Sequence, residues 1–144
     1  MSLSLSFDNQ HFRVNGKTAY LASGELHYFR VPKTAWRERM ELLKATGASM
    51  VTTYIPWLLH EPEEGKFVID SGDGVLDLRD YLRTALEVGL QVCIRPGPYV
   101  YSELRDSGLP RWLLEKYPQI MARDCAGNVP CQSSISYLHP LFLE

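Results

Sequence analysis

Leu78-Arg79-Asp80-Tyr81-Leu82-Arg83-Thr84-Ala85-Leu86-Glu87-Val88-Gly89-Leu90-Gln91-Val92-Cys93-Ile94-Arg95-Pro96 is the stretch on which the fold turns. Its first part has the spacing of an amphipathic helix. Leu78, Tyr81, Leu82, Ala85 and Leu86 fall at i, i+3, i+4, i+7 and i+8, which is one apolar stripe. Asp77 is placed to cap the start, its carboxylate accepting from a backbone N–H that the helix leaves unpaired. Gly89 is placed to end it, because glycine tolerates the left-handed conformation that closes a helix. Leu90 to Arg95 then reads as a strand stopped by Pro96.

The same order occurs upstream. Trp36, Met40 and Leu43 share one face of a helix expected over 34–46, with Pro32 before it and Gly47 after it. Ser49 to Ile55 follows as a buried strand, stopped by Pro56. Strands alternating with amphipathic helices predict βαβ units and a parallel sheet. Near-continuous apolar strands predict a sheet covered on both faces. The expected fold class is α/β, with about three βα units, the last incomplete. Before them, Leu3, Leu5 and Phe7 alternate with polar residues, Asp8-Asn9-Gln10 suits a turn, and Phe12 to Val14 suits a returning strand. That is a short β-hairpin over 1–16, with Asn15-Gly16 marking the next turn and a strand expected over 18–22. The βα units occupy 17–144. A short helix is expected over 111–115, loop over 117–136, and the entry to another helix from Leu138.

The chain has 144 residues, a net charge of −2 and 22% charged residues, the composition of an ordinary globular domain. The near-neutral charge argues against nucleic acid as a partner, since that needs a concentrated basic face. No apolar run is long enough to span a membrane. The start lacks a positive n-region and a continuous apolar stretch, so no secretory signal is expected. The odd cysteine count, with Cys93, Cys125 and Cys131, argues for a reducing compartment, and a cytoplasmic location is expected. Cys125 and Cys131 lack Cys-x-x-Cys spacing, and His27 and His60 do not form a metal pattern. Neither a metal nor a cofactor is expected.

In a parallel α/β sheet, functional groups gather beyond the carboxyl ends of the strands. Three segments stand there: Gly24 to Tyr28, Tyr54 to Pro62, and Arg95 to Glu103. They carry Glu25, Glu61 and Glu103 among Tyr28, Tyr54, Trp57, Tyr99 and Tyr101. Carboxylates hydrogen-bond sugar hydroxyls, aromatic faces pack on sugar rings, and carboxylates run most glycosidase chemistry. Structural readings stand beside these. Glu25 and Glu61 have Arg30 and Arg95 as candidate ion partners, and Trp57 before a turn reads as a packed wall. Neither a glycine-rich phosphate loop nor a Gly-x-Ser-x-Gly elbow is present.

Five motifs in order then match a known family. Ser23-Gly24-Glu25-Leu26-His27-Tyr28-Phe29-Arg30-Val31-Pro32 comes first, followed by Thr53-Tyr54-Ile55-Pro56-Trp57. Next are His60-Glu61-Pro62 with Gly65-Lys66-Phe67, Arg95-Pro96-Gly97-Pro98-Tyr99, and Gly108-Leu109-Pro110 with Trp112-Leu113-Leu114. Together they resemble the N-terminal part of glycoside hydrolase family 35, from about residue 12 onward. The resemblance implies a partial TIM (β/α)8 barrel and retaining hydrolysis of terminal β-galactosides. It also implies that Tyr54 contacts the galactose, that Glu103 binds its hydroxyls, and that Tyr101 and Ser102 line the subsite. The sequence departs from the family there. A Cys or Asn followed by Ala is usual where Tyr101-Ser102 stands, and Gly is usual at Ser107.

The family's acid/base glutamate follows the fourth strand in an Asn-Glu-Tyr-type motif, and its nucleophile follows the seventh. No Asn-Glu pair occurs in this chain. No catalytic residue is therefore assigned within it, and both glutamates are expected beyond residue 144. A complete barrel usually needs about 200 residues or more. The expectation is a chain ending before strand 4, with an open sheet edge prone to self-association. The alternatives are a stand-alone carbohydrate-binding or assembly module, and a glycosidase of the family 42 type. The Arg95-Pro96-Gly97-Pro98-Tyr99 run argues against the latter.

Overall fold

The computed structural model describes residues 4–72, 74–129 and 135–143. The N-terminal strands β1 (Leu5–Phe7), β2 (Phe12–Val14) and β3 (Lys17–Ala19) form an antiparallel meander. Asp8 accepts from the His11 amide at 2.9 Å and fixes the first turn. The second turn is the two-residue loop Asn15-Gly16, with φ of 50° and 78°. Two successive positive φ angles match the twist of paired strands, so the loop closes a tight hairpin and places Val14 opposite Lys17. This corrects the strand expected over 18–22. Residues 17–19 pair back onto β2, Tyr20 lies 90% exposed in the link, and the parallel sheet begins only at Ser23.

That sheet consists of β4 (Ser23–Glu25), β5 (Met50–Ile55) and β6 (Gln91–Pro96), all parallel and in this order. Thr52 pairs with Glu25 on one side and Cys93 on the other, and Tyr54 pairs with Arg95. Helices α1 (Trp36–Ala45) and α3 (Leu78–Val88) pack together against one face of the sheet. Asp77 caps α3 as expected, accepting from the Asp80 amide at 3.3 Å, and Gly89 ends it with φ of 83°. The apolar cluster comprises Tyr28, Trp36, Met40, Val51, Leu78, Tyr81, Ala85, Val88 and Leu90. The Trp36 ring meets Tyr81 edge-on at 5.3 Å, and its Nε1 donates to the Val31 carbonyl at 2.8 Å. Gly24 lets α1 come close, since a Cβ there would lie 2.3 Å from Leu43. Leu86 was expected in the α3 stripe but is 70% exposed, and Val88 faces the core instead.

The expectation of two covered faces is also corrected. Side chains alternate along a strand, so Ser23, Glu25, Met50, Thr52, Tyr54, Gln91, Cys93 and Arg95 point away from the helices. Most are polar, and Glu25 and Arg95 remain about half exposed. Ser23 and Thr52 share a hydroxyl–hydroxyl hydrogen bond of 2.6 Å on this face.

After β5 comes the single turn α2 (Trp57–His60), and after β6 the short helix α4 (Arg111–Lys116) near its expected place. The chain's last described helix is α5 (Pro140–Leu143). Here a second cluster of Leu109, Leu113, Ile120 and Ile135 gathers Trp57, Trp112, Tyr117 and Phe142. No helix among the described residues is long and apolar enough to cross a membrane.

Candidate active site

The polar groups at the carboxyl ends of the strands fall into two clusters. In the first, Arg95 lies over the Tyr54 ring, its guanidinium carbon 4.1 Å from the centroid, and donates to Glu25 at 2.7 Å. His27 stacks on Phe29 and tilts against Tyr54, both at 5.3 Å, with Nε2 3.7 Å from Glu25. The guanidinium and imidazole thus hold the Tyr54 ring between neighbouring strands, by cation–π attraction and ring contact.

The second cluster joins two loops. Arg30, in the turn after β4, donates to the Ser102 carbonyl and meets the Glu103 carboxylate at 3.3 Å. Tyr101 packs near Tyr99 at 6.0 Å, and Ser102 is buried whereas Glu103 is exposed. His27 links the two clusters electrically. Partial burial pushes its pKa below the usual imidazole value; Glu25 opposes that shift, Arg30 and Arg95 add to it, and Glu103 opposes it. His27 Nδ1 is buried without a hydrogen-bond partner.

The backbone of the second cluster is unusual. Tyr101, Ser102 and Glu103 have φ of 51°, 49° and 49°, and Asp106 and Ser107 have 51° and 56°. For residues with a Cβ this left-handed region costs about 1–2 kcal/mol each. Some of that cost is offset by hydrogen bonds from the Leu104 amide to the Tyr101 carbonyl at 3.1 Å and from Val100 to Ser107 at 2.9 Å. The positive φ at Ser107 is one that a glycine would adopt without this cost.

Other candidates have structural duties. The buried Glu61 carboxylate accepts from Trp57 Nε1 at 2.5 Å and from the Gly65 amide at 2.7 Å, so it is not paired with arginine. Its carbonyl accepts from Trp112 Nε1 at 2.9 Å. Trp57 is indeed a wall, edge-on to Trp112 at 5.8 Å. His60 Nδ1 lies 2.5 Å from the Val68 carbonyl, which only accepts, so Nδ1 carries the proton. Nε2 is then left to accept from the Tyr28 hydroxyl. Burial raises the Tyr28 pKa well above the usual phenol range, so that hydroxyl keeps its proton. Among the described residues no group of His, Cys, Asp and Glu could hold a metal. Cys131, weighed with Cys125 as a metal pair, lies outside the described residues.

A cavity of about 430 Å³ is lined by Tyr28, Arg30, Pro32, Lys33 and Gly74 among others, but by neither Tyr54 nor Glu103. Its polar neighbour Arg30 belongs to the strand-end cluster, yet the cavity opens beside that cluster and not over it. Arginine–glutamate pairing across loops was legible only as a general possibility. The Arg30–Glu103 contact, between residues far apart in sequence, was missed.

The model of glycosyl hydrolases family 35 matches residues 11–128. The chain belongs to this family. It is 46% identical over 113 residues to human beta-galactosidase-1-like protein 2, covering 78% of this chain and 17% of that protein. It is 37% identical over 144 residues to an exo-beta-D-glucosaminidase of Thermococcus kodakarensis, covering 97% of this chain and 18% of the relative. A beta-1,2-glucosyltransferase of Ignavibacterium album is 41% identical over 137 residues, covering 94% of this chain and 19% of the relative. The family 35 chain thus spans less than a fifth of the length of these curated relatives. Among solved structures, a beta-galactosidase from Halorubrum lacusprofundi shares the fold with a TM-score of 0.63 at 18% identity, over 85% of this chain and 17% of that one.

Proposed function

We propose that this chain is the N-terminal part of a retaining β-galactosidase-type glycoside hydrolase. In this reading β4, β5 and β6 are the first three strands of a (β/α)8 barrel, which starts at Ser23 after the antiparallel meander β1–β3. The chain contributes part of the subsite for a terminal β-galactoside. Tyr54 packs on the sugar, Glu103 accepts from its hydroxyls, and Tyr101 and Ser102 form the wall. The acid/base and nucleophile glutamates lie in the portion of the relatives that this chain does not span, and no cofactor takes part.

The observation that carries the reading is the sidedness of the parallel sheet. Helices cover one face, while Glu25, Tyr54, Arg95 and their neighbours make the other face polar and open. A parallel sheet ordinarily has both faces covered, so a face left open marks a sheet that further structure completes. The polar face suits the inside of a barrel, with Tyr54 and Glu103 near its carboxyl rim. The relatives bear the names of a beta-galactosidase-like protein, a glucosaminidase and a glucosyltransferase, so sugar identity rests on Tyr54, Tyr101 and Glu103 in this chain. The free thiols of Cys93 and Cys125 suit a reducing compartment such as the cytoplasm. The open edges at β4 and β6, with Ile94 of β6 itself 49% exposed, favour self-association of the isolated chain.

Titration of the 144-residue chain with galactose, glucose and glucosamine, followed by NMR, tests the subsite. Saturable shifts with galactose, weakened at least tenfold but still measurable in Glu103→Ala, are expected. Galactose affinity unchanged in Glu103→Ala removes the assignment. Turnover of a chromogenic β-galactoside by the chain alone overturns the claim that catalysis lies outside it.

A further inference from the structure

We propose that Arg30 is a positioning residue that sets the backbone turn at 101–103 and thereby aims Glu103 at the sugar. The inference rests on the subsite reading for the role of Glu103, but its physical core, a clamp between two loops, stands apart from it. Arg30 is the last residue of the one-turn helix Tyr28–Arg30 that follows β4. Tyr28 anchors that turn, being only 1% exposed within the main core, so Arg30 projects from a rigid base.

One guanidinium serves two successive residues of the opposite loop. Nη2 donates to the Ser102 carbonyl, and Nη1 lies 3.3 Å from Glu103 Oε2. The contact with the carbonyl matters more. An exposed arginine–glutamate pair by itself contributes little. A carbonyl in the middle of three left-handed residues is different, because its direction depends on the unusual φ angles at 101–103. Ser102 itself is buried, so this carbonyl is not freely solvated. Arg30 satisfies it and, with its second nitrogen, restrains the carboxylate one residue on. A lysine supplies one nitrogen and cannot reproduce this fork. The other arginine of the site, Arg95, is committed to Glu25 and Tyr54 and cannot replace Arg30.

Arg30→Ala and Arg30→Lys in the full chain test the clamp by two readouts. The first is amide hydrogen exchange at Leu104, whose N–H donates to the Tyr101 carbonyl at 3.1 Å and closes the turn. Leu90, whose N–H donates to Ala85, is the control for global folding. In both variants Leu104 should exchange about tenfold faster or more, the effect of losing one hydrogen bond to a charged donor, while Leu90 is unchanged. The second readout is galactose affinity, expected to weaken about tenfold in Arg30→Ala and to fall no further when Arg30→Ala is added to Glu103→Ala. Unchanged Leu104 exchange in Arg30→Ala overturns the clamp, and so does a Lys variant that behaves like the parent. If the parent chain gives no galactose shift, the subsite reading fails, and Leu104 exchange still decides the clamp. Additive losses in the double variant overturn the aiming of Glu103 while leaving sugar binding intact.

Discussion

In the ladder β4–β6 with α1 and α3 the backbone is fixed by repetition, and between Gly97 and Leu109 by single contacts. The first region has a parallel ladder, two packed helices and a continuous apolar cluster, so each residue is held by many weak interactions. The second has five non-glycine residues at positive φ, one arginine reaching across from another loop, and a glycine with no room for a side chain. Redundant packing makes a stable frame, and individually specified contacts make a shaped rim. Damage to the first region should therefore be global, and damage to the second local.

The largest effect is expected at Trp36. Its side chain is 1% exposed in the main cluster, so Trp36→Ala leaves a cavity and an unpaired Val31 carbonyl. A loss of about 3–5 kcal/mol follows for such a truncation. Urea unfolding followed by circular dichroism should show the whole transition move, including the 97–109 segment. A variant that unfolds only locally breaks the comparison. Gly108→Ala should come next. A Cβ there would lie 2.3 Å from Val100 Cγ2, a stiff and buried β-branched side chain, and φ is +85°. Left-handed strain and overpacking together cost about 2–4 kcal/mol. Here exchange at Val100 and Leu104 should accelerate more than exchange at Leu90. Equal acceleration everywhere would mean that the loop and the frame unfold as one unit.

These two sites differ in the same way in how well they can be read from sequence. Trp36, Met40, Leu78, Tyr81 and Ala85 announce their burial by helical spacing, and Asp77 and Gly89 announce the ends of α3, because those signals are local and physical. Leu86 misled because periodicity gives the width of a stripe and not which neighbour covers it. The strand starts at 17 and not at 18 because the Asn15-Gly16 loop, with two positive φ angles, forces Lys17–Ala19 back onto β2. The site was less legible still. Tyr54 and Glu103 came from family resemblance, whereas Arg30 reaching Glu103 depends on where two loops meet in space. Glu61 follows a strand as a catalytic carboxylate would, yet its carboxylate is spent on Trp57 and the Gly65 amide, which its sequence position does not reveal.

Within the loop, Ser107 offers a gain where Gly108 offers a loss. Ser107→Gly removes one left-handed residue with a Cβ, at φ of 56°. Stability should rise by about 1 kcal/mol, read from the urea midpoint, with Leu104 exchange slowing in parallel. A fall instead would show that the buried Ser107 side chain contributes more than its backbone costs.

The smallest effect should appear at His27, on the seam between frame and rim. Its folded pKa is lowered from 6.5, first by burial, then by Arg30 and Arg95 against the opposing Glu25 and Glu103. As pH falls, the unfolded chain therefore binds a proton before the folded one does. Stability rises with pH wherever the unfolded state holds more protons, so this contribution is complete above about 6.5 and is lost as pH drops through the folded pKa. Urea midpoints measured between about pH 7.5 and 5.5 should decline in the parent chain, and His27→Gln should flatten the decline. Glu25→Gln should steepen it, because the charge that favours the protonated imidazole is gone while both arginines remain. A decline that is unchanged in His27→Gln would place the titrating group elsewhere. A decline made shallower by Glu25→Gln would mean that Arg95, released from its carboxylate, moves away from His27, and that the seam is held by the Arg95–Tyr54 contact less firmly than its 4.1 Å separation implies.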